Sequence, residues 1–311
     1  MSLQHIGTVF QAFNDLPHGM SAYLLLDGEV LTRKARAQLP ALLALFAETG
    51  LSSVELDGPQ WLDAHALTEK QWTVLDALYK QPQGIQMVTT KIPLDELNKH
   101  FQRQLDGWDV AAKKLIWFHF YQATVLPILH RLLDPDLKQV LFGGIIEWWL
   151  QKRNGAWYHL SGDGVALHSN TYVHPFHGEV FPLSEEVAAA LNQERQVEDI
   201  YHWMRQHQPD FVDPDPLQGL LEVEARVLYA RTKYGLIDAN AMLSWCVLSL
   251  LSSPDVDTQI EEIGLRLASV KAGRKEFTVD WLTTDLSAAD NQVLEHLFQS
   301  RKEQLKELRA S

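Results

Sequence analysis

The stretch that most restricts the fold is Lys113–Leu150, KKLIWFHFYQATVLPILHRLLDPDLKQVLFGGIIEWWL. Its first part, Leu115 to Tyr121, is apolar and aromatic with almost no alternation, which predicts a strand covered on both faces. On such a strand His119 would be a core histidine bonded to a neighbour. Val125, Leu129, Leu132 and Leu133 then fall at helical spacing, with Pro127 suited to the first turn, where a missing N–H costs little. Asp134-Pro135-Asp136 ends that helix. After a short apolar turn, Phe142-Gly143-Gly144 leads into a second strand, Ile145 to Leu150, carrying Trp148 and Trp149. Neighbours on a strand point to opposite faces, so one indole enters the core and the other faces out or lies under a helix.

The residues before this stretch alternate in character. Ala22 to Leu26 reads as a strand ending at the turn pair Asp27-Gly28. Leu39, Leu42, Leu43 and Phe46 mark a helix started or kinked at Pro40, with Gly50 placed for a left-handed cap. Leu51 to Leu56 reads as a strand closed by Asp57-Gly58-Pro59. A helix opens at Thr68 with Trp72, Leu75, Leu78 and Tyr79 on its buried face. Ile85 to Thr89 is a strand, and a helix begins at Pro93 with Leu94, Leu97, Phe101 and Leu105 as its stripe and acidic residues in its first turn. Alternating strand and helix indicates an α/β layer architecture. Asn154-Gly155 predicts a hairpin with both turn residues at positive φ. Residues 161–182 read as a connector or irregular β extension.

From Ser184 the pattern is helical: one long helix or two, a break at Asp213-Pro214-Asp215-Pro216, then Leu217 to Tyr234 ended by Gly235. Asp238 is placed to cap an apolar helix, Ala239 to Leu251, and Asp257–Ser269 and Ala288–Leu308 supply two more. The expected architecture is an α/β amino-terminal lobe (a mixed sheet with flanking helices, residues 1–180) followed by an all-α carboxy-terminal lobe, residues 181–311.

Apolar residues make up 46% of the chain, ample for packed cores. The net charge of −13 argues against a nucleic-acid partner, which rewards lysine and arginine. Residues 1–155 carry 14 basic and 16 acidic side chains, and residues 156–311 carry 13 and 24. A solvated acidic surface accounts for this, with a charge-matched partner as the alternative. No apolar run approaches the ~20 residues of a membrane span and no basic-then-apolar leader opens the chain, so no membrane role and a cytoplasmic location are expected. The single cysteine, Cys246, lies in an apolar helix and reads as a buried structural thiol.

No phosphate-cradling glycine motif and no GxSxG elbow is present. His159, His168, His174 and His177 lie close in sequence, beside Asp163 and Glu179, but their spacing matches no zinc pattern, so no metal or cofactor is expected. Five of the ten tryptophans lie between Trp108 and Trp157, and exposed indoles favour protein partners.

Several segments carry a family likeness. Tyr23-Leu24-Leu25-Leu26-Asp27, the strand at residues 85–89 followed by a Leu-x-x-Leu-x-x-His helix ending at His100, His119-Phe120-Tyr121-Gln122-Ala123-Thr124-Val125-Leu126, Phe142-Gly143-Gly144-Ile145 with Trp148, and Ala230-Arg231-Thr232-Lys233-Tyr234-Gly235-Leu236 occur in this order. The chain resembles the type VI secretion effector-adaptor family, catalogued as domain of unknown function 4123. His119, Gln122, Ala123 and Thr124 stand where that family has Arg, Asp, Pro and Arg. The resemblance implies a non-enzymatic adaptor and chaperone. It would bind the amino-terminal segment of a secreted effector protein and help load it onto the trimeric spike protein of the secretion apparatus. Motif position nominates His119, Tyr121, Trp148, Trp149, Tyr172, Arg231 and Tyr234 as partner-binding residues, with the groove between the lobes as the expected site. The alternative is a small metal-dependent hydrolase using His168, His174 and His177.

Overall fold

The computed structural model describes residues 16–79, 84–169, 172–270 and 278–310. The chain divides into two compact units, Met1–Leu191 and Asn192–Ser311.

The first unit is built on a six-stranded sheet. Its early elements are β1 (Ser21–Leu26), α1 (Arg33–Arg36), β2 (Leu43–Ala44), β3 (Gln60–Asp63), α2 (Glu69–Tyr79), β4 (Ile85–Thr90) and α3 (Leu94–Gln102). Then follow β5 (Asp106–Asp109), β6 (Lys114–Trp117), α4 (Leu126–Leu132), α5 (Pro135–Phe142), β7 (Ile145–Gln151) and β8 (Trp157–Ser161). The large sheet runs β2-β3-β1-β4-β7-β8, and each of its pairings is antiparallel. After β9 (Val173–His174) and β10 (Gly178–Glu179), β11 (Phe181–Leu183) pairs parallel with β5, whose other neighbour is antiparallel β6. The unit is thus a mixed-sheet α/β structure, with its parallel pairing confined to the smaller sheet.

Period-two side-chain alternation gives the large sheet two buried faces. Tyr23, Leu25, Trp61, Val88 and Trp148 point to one side, where Leu97 and Phe101 of α3 and Leu126 and Leu129 of α4 cover them. Ala22, Leu24, Leu26, Leu62 and Met87 point to the other, under Trp72 and Leu75 of α2. The doubly covered strands therefore include β1, β3 and β4. The run Leu115–Tyr121 is not one: β6 ends at Trp117, forms the edge of the small sheet, and leaves Leu115 44% and Trp117 47% exposed. An apolar run fits an edge strand as well as a central one, and composition does not distinguish them.

Two further expectations fail in residues 39–59. No helix forms around Leu43, because β2 pairs with β3 and the Leu45 N–H donates to the Pro59 carbonyl at 2.9 Å. Leu39 and Leu42 pack on one face of the sheet while Leu45 and Phe46 pack on the other, so one helical stripe cannot satisfy them. The expected strand Leu51–Leu56 is a bend containing a 3-10 turn, Ser52–Val54, and the strand comes later, at Gln60. Asp134 does end α4, but its side chain also accepts the Leu137 N–H and so starts α5. The β7–β8 hairpin forms as expected with one change: Gly155 alone takes positive φ (79°), its N–H bonding the Lys152 carbonyl at 2.9 Å. The loop is the longer kind that needs one left-handed residue. The Leu78 and Tyr79 side chains lie outside the described residues.

The boundary between units, after Leu191, falls within α6 (Glu185–His207). The second unit is all helical: the end of α6, then α7 (Pro216–Tyr234), α8 (Ala239–Leu251), α9 (Val256–Gln259), α10 (Glu261–Ser269), α11 (Val279–Thr283) and α12 (Ala288–Ala310). Asp215 and Asp238 cap α7 and α8 through side-chain acceptors. Trp245 anchors the core, stacked on Tyr229 with ring centroids 5.6 Å apart and donating to the Arg226 carbonyl at 3.1 Å. Buried Asp257 accepts from Tyr229 (2.9 Å), Lys233 (2.7 Å) and Tyr234, fastening α9 to α7. Among the described residues no single helix is long and apolar enough to cross a membrane. The bent pair α7–α8 turns through 119°, and both helices contribute to this unit's own core.

Candidate partner-binding cleft

β1 delivers Leu25 and Leu26, and Asp27 just after it, to one wall of an open cavity of about 550 Å³. The turn after it adds Glu29, and the bend at residues 46–59 adds Phe46, Leu51, Val54 and Asp57. The opposite wall is the chain leaving β6: Trp117, His119, Tyr121 and Gln122. The whole lining belongs to the first unit.

Close backbone approach holds the walls. A Cβ on Gly28 would lie 2.1 Å from the Gly58 carbonyl oxygen, so only glycine fits where these turns meet. The Arg36 guanidinium donates to the carbonyls of Gly28 (2.7 Å), Leu31 (3.3 Å) and Leu56, tying the same segments together. The Gln60 side chain donates to Glu55 and Gly58 carbonyls at 2.5 and 2.9 Å. On the far wall the Gln86 amide reaches from β4 to the Tyr121 carbonyl at 2.7 Å, and its oxygen accepts the Trp148 indole N–H at 2.8 Å.

Inside the cleft, Tyr121 meets Phe46 edge-on at 5.9 Å, and its hydroxyl lies 2.9 Å from His119 Nδ1. Burial holds the Tyr121 hydroxyl well above its ordinary pKa, and the negative charges of Asp27 and Glu29 push it the same way. The Asp27 carboxyl is also raised, by desolvation first and the Glu29 charge last, against a hydrogen bond from the Glu29 N–H that favours ionisation. Negative charge in this cleft is therefore incompletely compensated.

Residues 22–139 match the family model described as Domain of unknown function (DUF4123). The matched DUF4123 region contains every residue lining the cleft, and β6 as well. No curated protein and no solved structure matches the chain.

The nominated residues divide. His119 is exposed rather than a core residue, and it lines the cleft with Tyr121. Trp148 is fully buried and supports the cleft from behind through Gln86. Trp149, on the opposite face of the sheet, is half-buried; its indole donates to Glu147 at 2.8 Å and lies 4.7 Å from the His159 ring. Tyr172 is 37% exposed beside the small β9–β10 hairpin. Arg231 and Tyr234 belong to the second unit. Arg231 bonds Gln193 and Gln196 of α6, and Tyr234 bonds Asp257.

The histidines also separate. His174 and His177 stack 4.7 Å apart, with Trp108 4.0 Å from His174, whereas His168 lies against Gly143. Among the described residues no group of three or more His, Cys, Asp or Glu side chains is placed to hold a metal ion. Asp27, Glu29, Trp117 and Gln86 are site residues that motif reading did not single out. The signals were the Asp-Gly turn closing β1, which marks a turn and says nothing of what faces it, the family-like strand ending at Asp27, and the tryptophan-rich stretch that includes Trp117.

Proposed function

We propose that this protein is a non-enzymatic adaptor and chaperone. It binds the amino-terminal segment of a type VI secretion effector and helps load that effector onto the trimeric spike protein. It would act in the cytoplasm of the producing cell, without nucleic acid or membrane as partner. The observation carrying the proposal is an open, aromatic-walled cleft beside the edge of β6, which among the described residues pairs with no strand but β5, both within the DUF4123 region. A cleft of this kind suits capture of an extended segment from another chain.

The test is to delete the gene and assay secretion of the effector encoded beside it and of the spike, while the purified chain is mixed with that effector's amino-terminal segment. Loss of effector secretion with spike secretion intact, together with a complex on size exclusion, supports the proposal. Unchanged effector secretion contradicts it.

A further inference from the structure

We infer that the cleft recognises a basic side chain, lysine or arginine, carried by an extended peptide that adds a strand to the free edge of β6. This specifies the chemistry of recognition beyond the adaptor reading, and it stands or falls whichever protein carries the segment.

The strand part follows from register. Asp106 lies opposite Trp117 and Gly107 opposite Ile116, so the next opposed pair is Leu105 with Phe118, and the Phe118 N–H donates to the Leu105 carbonyl at 2.7 Å. Antiparallel ladders alternate bonded and non-bonded pairs. Phe118, Ile116 and Lys114 therefore bond toward β5, while the N–H and C=O groups of Leu115 and Trp117 point to the open edge. β6 has β5 as its partner and is the terminal strand of the small sheet. An edge of this kind is a template for a further strand, and its Leu115 and Trp117 side chains are the exposed apolar ones.

The charge part follows from where that edge leads. Trp117, at the end of β6, is also a wall of the cleft. A strand laid along Leu115–Trp117 thus places one of its side chains at the cleft mouth. The charged residues among the described lining are Asp27, Glu29 and Asp57, all acidic. Arg36 is turned onto backbone carbonyls. Trp117, Tyr121 and Phe46 supply ring faces, which attract a cation more strongly where water is partly excluded. Lys113 and Lys114 stand at the other end of β6, where Asp109 lies opposite Lys114. Carboxylates and aromatic faces around one opening, with none of the lining's own cations to fill it, fit an ammonium or guanidinium on an apolar stem.

The probe is an acetylated, amidated hexapeptide, Thr-Val-Arg-Val-Thr-Val, titrated calorimetrically into the full chain at low salt. Companion peptides carry norleucine or glutamate in place of arginine, or N-methyl groups on alternate backbone amides. The arginine peptide should bind, and norleucine, glutamate or N-methylation should each weaken binding at least tenfold. Asp27→Asn with Glu29→Gln, which retains the Asp27 turn acceptor, should weaken the arginine peptide by a similar factor and leave the norleucine peptide unchanged. Thermal melts matching the unsubstituted chain establish that this variant is folded. Absence of binding by the arginine peptide, or equal binding of the norleucine peptide, overturns the inference. Insensitivity to N-methylation overturns strand addition and makes the cleft a site for small cations.

Discussion

The Gln86 side chain donates to the Tyr121 carbonyl at 2.7 Å. Through the same amide group it accepts the fully buried Trp148 indole N–H at 2.8 Å, so the cleft wall hangs from the centre of the large sheet. Gln86→Leu keeps the volume but leaves the Trp148 donor and the Tyr121 carbonyl without this partner. The expected loss is about 1–3 kcal/mol, the cost of orphaning buried polar groups. Urea denaturation checks it: the midpoint should fall with the slope unchanged.

The two adjacent tryptophans should respond unequally. Trp148→Ala empties a site ringed by Phe101 and Phe142 and should cost about 3–5 kcal/mol. Trp149 is half-buried and should cost clearly less on truncation. Loss of partner binding in Trp148→Ala would accordingly reflect a damaged core. Equal denaturation midpoints for the two variants would contradict this assignment.

His100 makes stability depend on acid. The ring is 2% exposed, Nε2 donates to the Val140 carbonyl at 2.7 Å, and burial lowers its pKa from 6.5 to about 4. The folded state therefore resists a proton that the unfolded chain accepts. The contribution is complete above pH 6.5 and drains away as pH falls toward about 4, an effect of about 3 kcal/mol from the size of the shift. His100→Gln keeps a donor and removes the titration. The midpoint difference between the original chain and this variant should shrink steadily from pH 7 to pH 4.

Cys246 should be silent until the second unit opens. It is fully buried in α8, and burial pushes its thiol up to about 12. A disulfide-exchange reagent such as dithionitrobenzoate, at pH 8, should react at the rate of unfolding and stoichiometrically in denaturant. Fast labelling of the native chain would contradict the packing described for this helix.

Where one face of one element decides the outcome, the sequence is readable. Asp238 announces the start of α8, the Asp213–Pro216 break precedes α7, Gly155 announces the hairpin, and the pair Trp148-Trp149 announces a strand with one indole in the core. Residues 39–59 were not readable, because their leucines serve opposite sides of one sheet and mimic a helical stripe. Leu115–Tyr121 misled for a related reason: edge and centre of a sheet share a composition, and pairing partners distant in sequence decide between them. The cleft had the weakest signal. His119 and Tyr121 stood out by motif, but their neighbours Asp27, Glu29 and Phe46 reach them only through the contact of two turns at Gly28 and Gly58. Arg231 and Tyr234 lie in a recognisable motif whose visible role is to hold α7 to α6 and α9.

Residue-resolved amide hydrogen exchange of the chain with and without the captured effector segment tests the central claim most directly. The account predicts that the Leu115 and Trp117 amides, which point to the open edge of β6, exchange quickly alone and become strongly protected in the complex, while Ile116 changes little. A complex that forms with Leu115 and Trp117 still exchanging at their free rates would contradict it.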